Sequence, residues 1–334
     1  MPDPPTSHGE ELRFFAGKAV LVTGGAGFIG SHLVARLEEL GAGVTVVDDL
    51  RTGNLANIGQ CVDRLELVQD DISNGGLHSL VATRDYDVAF HLAANPYVPP
   101  SIEQPWYDFQ VNLVGTLRLL ETLRQHAQPP RLILASSAAV YGDIDAPAIR
   151  EDHPTVPISP YGVSKLAAER YAAVYARLYG LRTASLRFFS VYGPRQRKQV
   201  VYDLLRKLSR RPAELEVLGD GTQTRDFNYV SDVVDAALRV AARGPLVGEA
   251  YNVASGRACT IHELLGILSD LTGSRPRIKW SGAVRPGDPQ RWLADVSRLR
   301  ALGWEPAVSL REGLVCTLEW YRSEPDPSSP SDTP

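Results

Sequence analysis

Ala19-Val20-Leu21-Val22-Thr23-Gly24-Gly25-Ala26-Gly27-Phe28-Ile29-Gly30 decides the fold of this chain. Its first four residues are an apolar run of strand type, and residues 31–40 that follow it alternate apolar and polar groups with helical spacing. The order is therefore strand, glycine turn, helix. Gly24, Gly27 and Gly30 recur every third residue, which lets the backbone turn tightly, approach a pyrophosphate closely and pack the helix onto the strand. The helix N-terminus then points at the anion, and a nicotinamide dinucleotide is the expected ligand.

Working outward, Gly41-Ala42-Gly43 breaks the helix, and Val44-Thr45-Val46-Val47-Asp48 reads as a second buried strand ending in a carboxylate. Asp48 lies about 20 residues past the glycines, where a ribose-binding acid belongs. It accepts ribose hydroxyls and repels a 2'-phosphate, which favours NAD over NADP; adjacent Asp49 can share the task. Arg51 is the one group here that could instead meet a phosphate.

Further apolar runs at 65–68, 88–94, 132–135 and 183–189 alternate with helical segments, including Pro105 to Gln125 and Pro160 to Tyr179. Repeated βα units predict an α/β fold: a Rossmann-type, doubly wound parallel sheet. Past Gly193-Pro194 the rhythm turns irregular, with a helix at 201–208, a strand at 215–218 and the turn-rich Gly219-Asp220-Gly221. We expect a Rossmann domain over 12–190 with a return segment at 230–255, and a smaller C-terminal substrate-binding lobe from 191–229 and 256–322. Residues 323–334 hold Ser, Pro, Asp, Glu and Thr without apolar groups and read as a disordered tail.

Composition narrows the partners. The 334 residues carry 35 Lys plus Arg against 39 Asp plus Glu, a formal balance of −4 that points to neither nucleic acid nor a membrane. Cys61, Cys259 and Cys316 are widely spaced, which predicts neither a disulfide framework nor a metal site and fits a reducing cytoplasm. No run approaches the roughly 20 apolar residues of a membrane span, and 1–17 lacks an apolar signal-peptide core.

The chemistry is expected from Tyr161 and Lys165, four apart near the start of a helix and so on one face. An ammonium beside a phenol stabilises phenolate, lowering a pKa of about 10 toward working pH, so that Tyr161 can act as a general base. Ser136-Ser137 follows the strand 132–135, where a hydroxyl at the strand's C-terminal end faces the ligand crevice. Ser137 would orient a substrate hydroxyl and pass on its proton.

Together the glycine turn, Asp48, Ala93-Ala94, the serine pair, Tyr161-x-x-x-Lys165 and Arg187-Phe188-Phe189-Ser190-Val191-Tyr192-Gly193-Pro194 resemble the extended short-chain dehydrogenase/reductase family, in particular its nucleotide-sugar epimerases, over about residues 18 to 320. The resemblance implies Ser137, Tyr161 and Lys165 as the catalytic set. It implies NAD held by Gly24, Gly27, Phe28, Ile29, Gly30, Asp48, Asp49, Asp71, Ile72, Leu92, Ala93 and Ala94, with Lys165 on the nicotinamide ribose. Asn112 would brace the active-site strand, Phe188 would border cofactor and substrate, and Ser190 would meet the sugar. Arg225, and Arg285 with Asp288 in Arg285-Pro286-Gly287-Asp288, look like the clamp on a nucleoside diphosphate, a task that suits planar arginine forks.

Relatives that dehydrate sugars place an acid directly after the catalytic Ser or Thr; here Ala138 and Ala139 follow Ser137. Epimerisation needs only one base, one hydride acceptor and a ligand free to turn, so the expectation is a C4-epimerase working through a 4-keto sugar, with tightly bound NAD regenerated at each turnover. Ser190 and Arg197 resemble the family members acting on UDP-glucuronate, which they would interconvert with UDP-galacturonate, although Lys198-Gln199-Val200 departs from that subgroup. UDP-glucose 4-epimerase stays open, as do a 4-ketoreductase and a non-catalytic NAD-binding regulator. The resemblance also implies a homodimer built on helices 105–125 and 160–179.

Overall fold

The computed structural model of the protein describes residues 13–74, 76–283 and 289–324. Strand β1 (Ala19–Thr23) lies mid-sheet, parallel to β2 (Gly43–Asp48) on one side and to β4 (Val88–His91) on the other. With β3 (Glu66–Gln69), β5 (Arg131–Ser137), β6 (Arg182–Phe188) and β10 (Val247–Val253), it forms a seven-stranded sheet in the order β10-β6-β5-β4-β1-β2-β3. Every pairing in that sheet is parallel. The fold is α/β, of Rossmann type.

Successive strand residues face opposite sides, so β1 serves two cores. Val20 and Val22 join Val46, Phe90 and Ile133 in one, under the Phe28–Glu39 and Val230–Arg243 helices. Leu21 joins Val47, Leu132 and Leu134 in the other, under Leu119, Leu120, Ala168 and Ala172. Strands buried on both faces are why these segments read as continuous apolar runs rather than alternating ones.

The chain reverses direction across the sheet between β1 and β4, which opens a crevice at their C-terminal ends. Gly24 leaves β1 there and Leu92 leaves β4; the Leu92 N–H still donates to the Thr23 carbonyl at 3.0 Å. The apolar stretch 88–94 therefore ends as a strand at His91.

Pro105 to Gln125 is not one regular helix. It runs as Pro105–Phe109, a π turn at Gln110–Val114, and Gly115–Arg124. The irregular turn coincides with Asn112, whose side chain is committed to buried bonds described below; such π bulges often sit at functional positions. The Pro160–Tyr179 helix matches its sequence signals: Ser159 caps it by accepting from the Gly162 N–H, Pro160 opens it, and left-handed Gly180 (φ 72°) ends it.

Beyond Tyr192 the chain builds smaller sheets over the strand ends. β7 (Ser190–Tyr192) pairs parallel with β9 (Thr224–Tyr229), which pairs antiparallel with β11 (Ala258–Thr260); β8 (Glu214–Val217) pairs with β12 (Arg277–Trp280). Sequence reading missed β9 because Thr-Arg-Asp-Phe-Asn-Tyr has no apolar alternation. Its buried Asp226 accepts from the N–H groups of Ser255, Gly256 and Ala294, so polar bonds hold this strand. The Leu310–Ser323 helix, capped by Ser309 and Glu312, covers the predicted tail's first residue; 325–334 lie outside the described residues.

Candidate active site

The crevice at the strand ends continues into one cleft of about 1120 Å³ that reaches from the glycine turn to the smaller lobe. At one end, Gly24 has φ 73°, and a Cβ on it would stand 2.6 Å from the Ala93 nitrogen. A Cβ on Gly30 would stand 2.1 Å from the Gly24 carbonyl oxygen, whereas one on Gly27 would meet it only at 3.2 Å. Gly30 and Gly24 are thus required for packing. Gly27 caps the Phe28–Glu39 helix without any side-chain hydrogen bond, which leaves that helix's first N–H groups facing the cleft with Phe28 and Ile29 on its wall.

Asp48 closes β2, buried, with its carboxylate accepting from the Ala26 and Leu50 N–H groups at 2.9 Å each. Burial pushes its pKa up despite those bonds. Asp49, Asp71 and Ile72 line the same end, with Leu92, Ala93 and Ala94 opposite. Arg51 is tied down: it donates to the Tyr107 hydroxyl at 2.7 Å and pairs with Asp49 at 3.4 Å and Asp71 at 3.3 Å. A fixed arginine between two carboxylates is poorly placed to take a phosphate. The tight glycine turn, uncapped helix start and carboxylate fit a dinucleotide, and NAD is the cofactor that such a cleft accommodates.

In the middle of the cleft, Tyr161 and Ser137 line the wall as neighbours, with the serine hydroxyl near enough to act on the phenol. Burial pushes the phenol up to about 12, with Ser137 working against that rise. Lys165, also buried, turns its ammonium to the Ala135 carbonyl at 3.0 Å, and it lies 5.9 Å from the Tyr161 ring centroid. Burial pulls this lysine down to about 8, opposed by the nearby Asp108 carboxylate. The sequence expectation sets the Lys165 ammonium near the phenol; here its hydrogen bond goes to Ala135 while it stands above the Tyr161 ring. Ser137 is the neighbour that holds the phenol's pKa down.

A polar knot lies behind these residues. Asp108 accepts from Asn112 Nδ2 at 2.9 Å, Asn95 Nδ2 at 3.2 Å and the Ser164 hydroxyl at 2.6 Å. Asn112 Oδ1 accepts the Asn95 N–H at 2.8 Å. The expectation that Asn112 braces the active-site strand becomes a brace between the Asn95 loop and the Tyr161 helix. Asp108 was missed, although it stands four residues before Asn112 and so shares its helix face. Ser136, the other serine of the pair, points away from Ser137 and donates to Glu169 at 3.0 Å. Glu169 forms a buried ion pair with Arg187, which donates on to the Tyr141 hydroxyl at 2.7 Å.

At the smaller lobe, Ser190 and Phe188 line the cleft, as does buried Arg225, whose guanidinium lies 5.6 Å from the Trp292 ring centroid. Arg197 is on the wall, but its guanidinium pairs with Glu324 and lies 5.7 Å from the Trp320 ring centroid. Arg285 and Asp288 lie outside the described residues. Among the described residues no group of three or more His, Cys, Asp or Glu could hold a metal, and no helix is long and apolar enough to cross a membrane.

Known proteins with this fold share most of the chain. The putative UDP-glucose 4-epimerase of Methanocaldococcus jannaschii is 36% identical over 308 residues, covering 91% of this chain and 98% of that protein. The crystal structure of UDP-glucose 4-epimerase with UDP-glucose from Thermotoga maritima superimposes with a TM-score of 0.84 at 36% identity, over 91% of this chain and 98% of its own. MoeE5 in complex with UDP-glucuronic acid and NAD gives 0.81 at 39% identity, over 91% and 99%. The family model described as GDP-mannose 4,6 dehydratase matches residues 21–317. By this match along its length, the chain belongs to that family, among the extended short-chain dehydrogenase/reductases that include the nucleotide-sugar epimerases.

Proposed function

We propose that the chain is an NAD-dependent nucleotide-sugar 4-epimerase that interconverts UDP-glucuronate and UDP-galacturonate. The observation that carries the epimerase reading is the juxtaposition of Tyr161 and Ser137 in one cleft, with a dinucleotide cradle at one end and Arg225 at the other. Gly24, Gly27, Gly30, Phe28 and Ile29 hold the pyrophosphate, Asp48 with Asp49 the adenosine ribose, and Asp71 and Ile72 the adenine. The Leu92-Ala93-Ala94 turn and Phe188 flank the nicotinamide half, and Lys165 holds its ribose. NAD, when bound, supplies the oxidising power, accepting hydrogen from sugar C4 and returning it.

Tyr161 takes the C4 hydroxyl proton, with Ser137 aligning that hydroxyl and relaying the proton. Since burial, with Asp108 and Tyr97 nearby, holds the phenol high against the pull of Ser137, a cationic ligand beside it would supply the further stabilisation that phenolate needs. After oxidation the 4-keto sugar turns over and Tyr161 returns the proton. Ala138 and Ala139, both buried after Ser137, put no second acid beside it, which favours epimerisation over loss of water. Arg225, with Arg285 and Asp288, holds the nucleoside diphosphate, and Ser190 and Arg197 border the sugar.

UDP-glucose is the second reading, favoured by one observation: the Arg197 guanidinium is already paired with Glu324. Incubating purified protein separately with UDP-glucuronate and UDP-glucose, without added reductant, and resolving the C4 isomers tests both. Absence of either epimerisation overturns the assignment.

A homodimer is part of the same proposal. Val163, Tyr171, Val174 and Leu178 leave an apolar stripe exposed along the Pro160–Tyr179 helix, beside exposed Trp106 and Phe109. A two-fold pairing of these helices would cover it. Sedimentation of a monomer at micromolar concentration would remove this part.

A further inference from the structure

Arg197 and Lys198 are neighbours in the chain whose charges go to different places. Arg197 is held by Glu324 and Trp320. Lys198 has no carboxylate partner among the described residues, and its ammonium stands 4.7 Å from the centroid of the Tyr97 ring. Both Lys198 and Tyr97 line the cleft. Tyr97 is half-buried, just past the Asn95 loop, and lies near Tyr161. Lys198 therefore brings a positive charge to the cleft wall, over a ring that itself lies near Tyr161.

The backbone around it is constrained. Arg195 has φ 70° and Gln199 φ 73°, so two non-glycine residues in the left-handed region bracket Arg197 and Lys198. Such conformations cost free energy and persist where the surrounding structure fixes them, often at ligand sites. An ammonium held only by an aromatic face on a cleft wall can exchange that contact for a carboxylate. As a compact charge with three donors, lysine can follow a carboxylate whose orientation changes. A sugar that turns over between two half-reactions presents such a group.

We propose that Lys198, seated on Tyr97, is the specificity-determining cation that meets an anionic group at C6 of the sugar, the role that sequence pattern alone gives to Arg197. This rests on the hexuronate reading above. The test uses full-length wild type, Lys198→Met, Lys198→Arg and Arg197→Met, each checked for retained NAD and for an unchanged melting temperature. The KM for UDP-glucuronate, relative to that for UDP-glucose, should rise at least tenfold in Lys198→Met with kcat for glucuronate within threefold, and Lys198→Arg should restore most of it. A relative KM within twofold of wild type in Lys198→Met, or a larger rise in Arg197→Met, overturns the proposal. If wild type turns over UDP-glucose alone, the hexuronate reading fails by itself, and the readout becomes inhibition by UDP-glucuronate. A tenfold higher inhibition constant in Lys198→Met then still supports Lys198 as the carboxylate cation, and an unchanged constant overturns it.

Discussion

Lys165 donates to the Ala135 carbonyl at 3.0 Å, one strand position before the serine pair, and so ties the Pro160–Tyr179 helix to the C-terminal end of β5. The contact fixes the spacing between Tyr161 on the helix and Ser137 on the strand, which is the spacing proton transfer depends on. Tyr161→Phe keeps that scaffold and removes only the hydroxyl proposed as the acid/base group. Its epimerase rate should fall by roughly 10² to 10⁴, the usual worth of a general acid/base, while bound NAD stays at the wild-type amount. Turnover at the parental rate in a coupled assay would sink the role given to Tyr161.

The three glycines of the turn should differ in their sensitivity. An added Cβ at Gly30 would fall 2.1 Å from the Gly24 oxygen and one at Gly24 2.6 Å from the Ala93 nitrogen, both backbone atoms that cannot swing aside. At Gly27 the closest approach is 3.2 Å. Gly30→Ala and Gly24→Ala should therefore purify with little or no NAD, and Gly27→Ala with more than either. Absorbance of the nucleotide released on denaturation measures this ranking. Loss confined to Gly27→Ala would contradict it.

The features legible in sequence are those whose partners lie nearby or recur with a fixed period. The glycine turn spans 24–30, and Tyr161 and Lys165 are four apart on one helix, so spacing alone brings them together. The roles of Ser136 and Ser137 were separable in principle, because adjacent strand residues face opposite ways. Asp108 and Arg187 were not. Asp108 meets Asn95 and Ser164, 13 and 56 residues away, and Arg187 meets Glu169 across a helix–strand contact; such pairings are set by tertiary packing. The same limit explains Arg197. Its partner Glu324 stands 127 residues further on, and no local pattern tells which of two consecutive cations will be paired with a carboxylate.

Asp108 should matter for stability and for rate. Asp108→Ala leaves the Asn95 amide and the Ser164 hydroxyl without the carboxylate they donate to, in a region where Asp108, Asn112 and Ser164 are all buried. Leaving buried donors unsatisfied costs about 1–3 kcal/mol each, so a loss of about 2–4 kcal/mol is expected in urea unfolding. The variant also removes the carboxylate that opposes the fall of the Lys165 pKa, and kcat should fall with it. Stability within about 0.5 kcal/mol of wild type would show that the knot relaxes around the gap, an outcome typical of surface sites only.

Acid should unfold the protein through two neutral histidines. Burial pulls His32 down to about 4, opposed by its bond to the Pro194 carbonyl at 3.0 Å; burial also pulls His91, lodged between Thr23 and Thr116, down to about 3. Unfolded, both would titrate near 6.5, so between about 6.5 and 4 the unfolded chain binds protons that the folded one refuses. Stability is then full above pH 6.5 and declines as pH falls, by up to about 3 kcal/mol for His32 alone at 1.36 kcal/mol per pKa unit. His32→Gln can still donate to the Pro194 carbonyl but cannot charge. Its unfolding free energy should match wild type at pH 7.5 within about 1 kcal/mol and exceed it by about 2 kcal/mol or more near pH 4.5. Parallel pH profiles for the two proteins would mean that His32 is protonated in the fold and that its burial does not govern its charge.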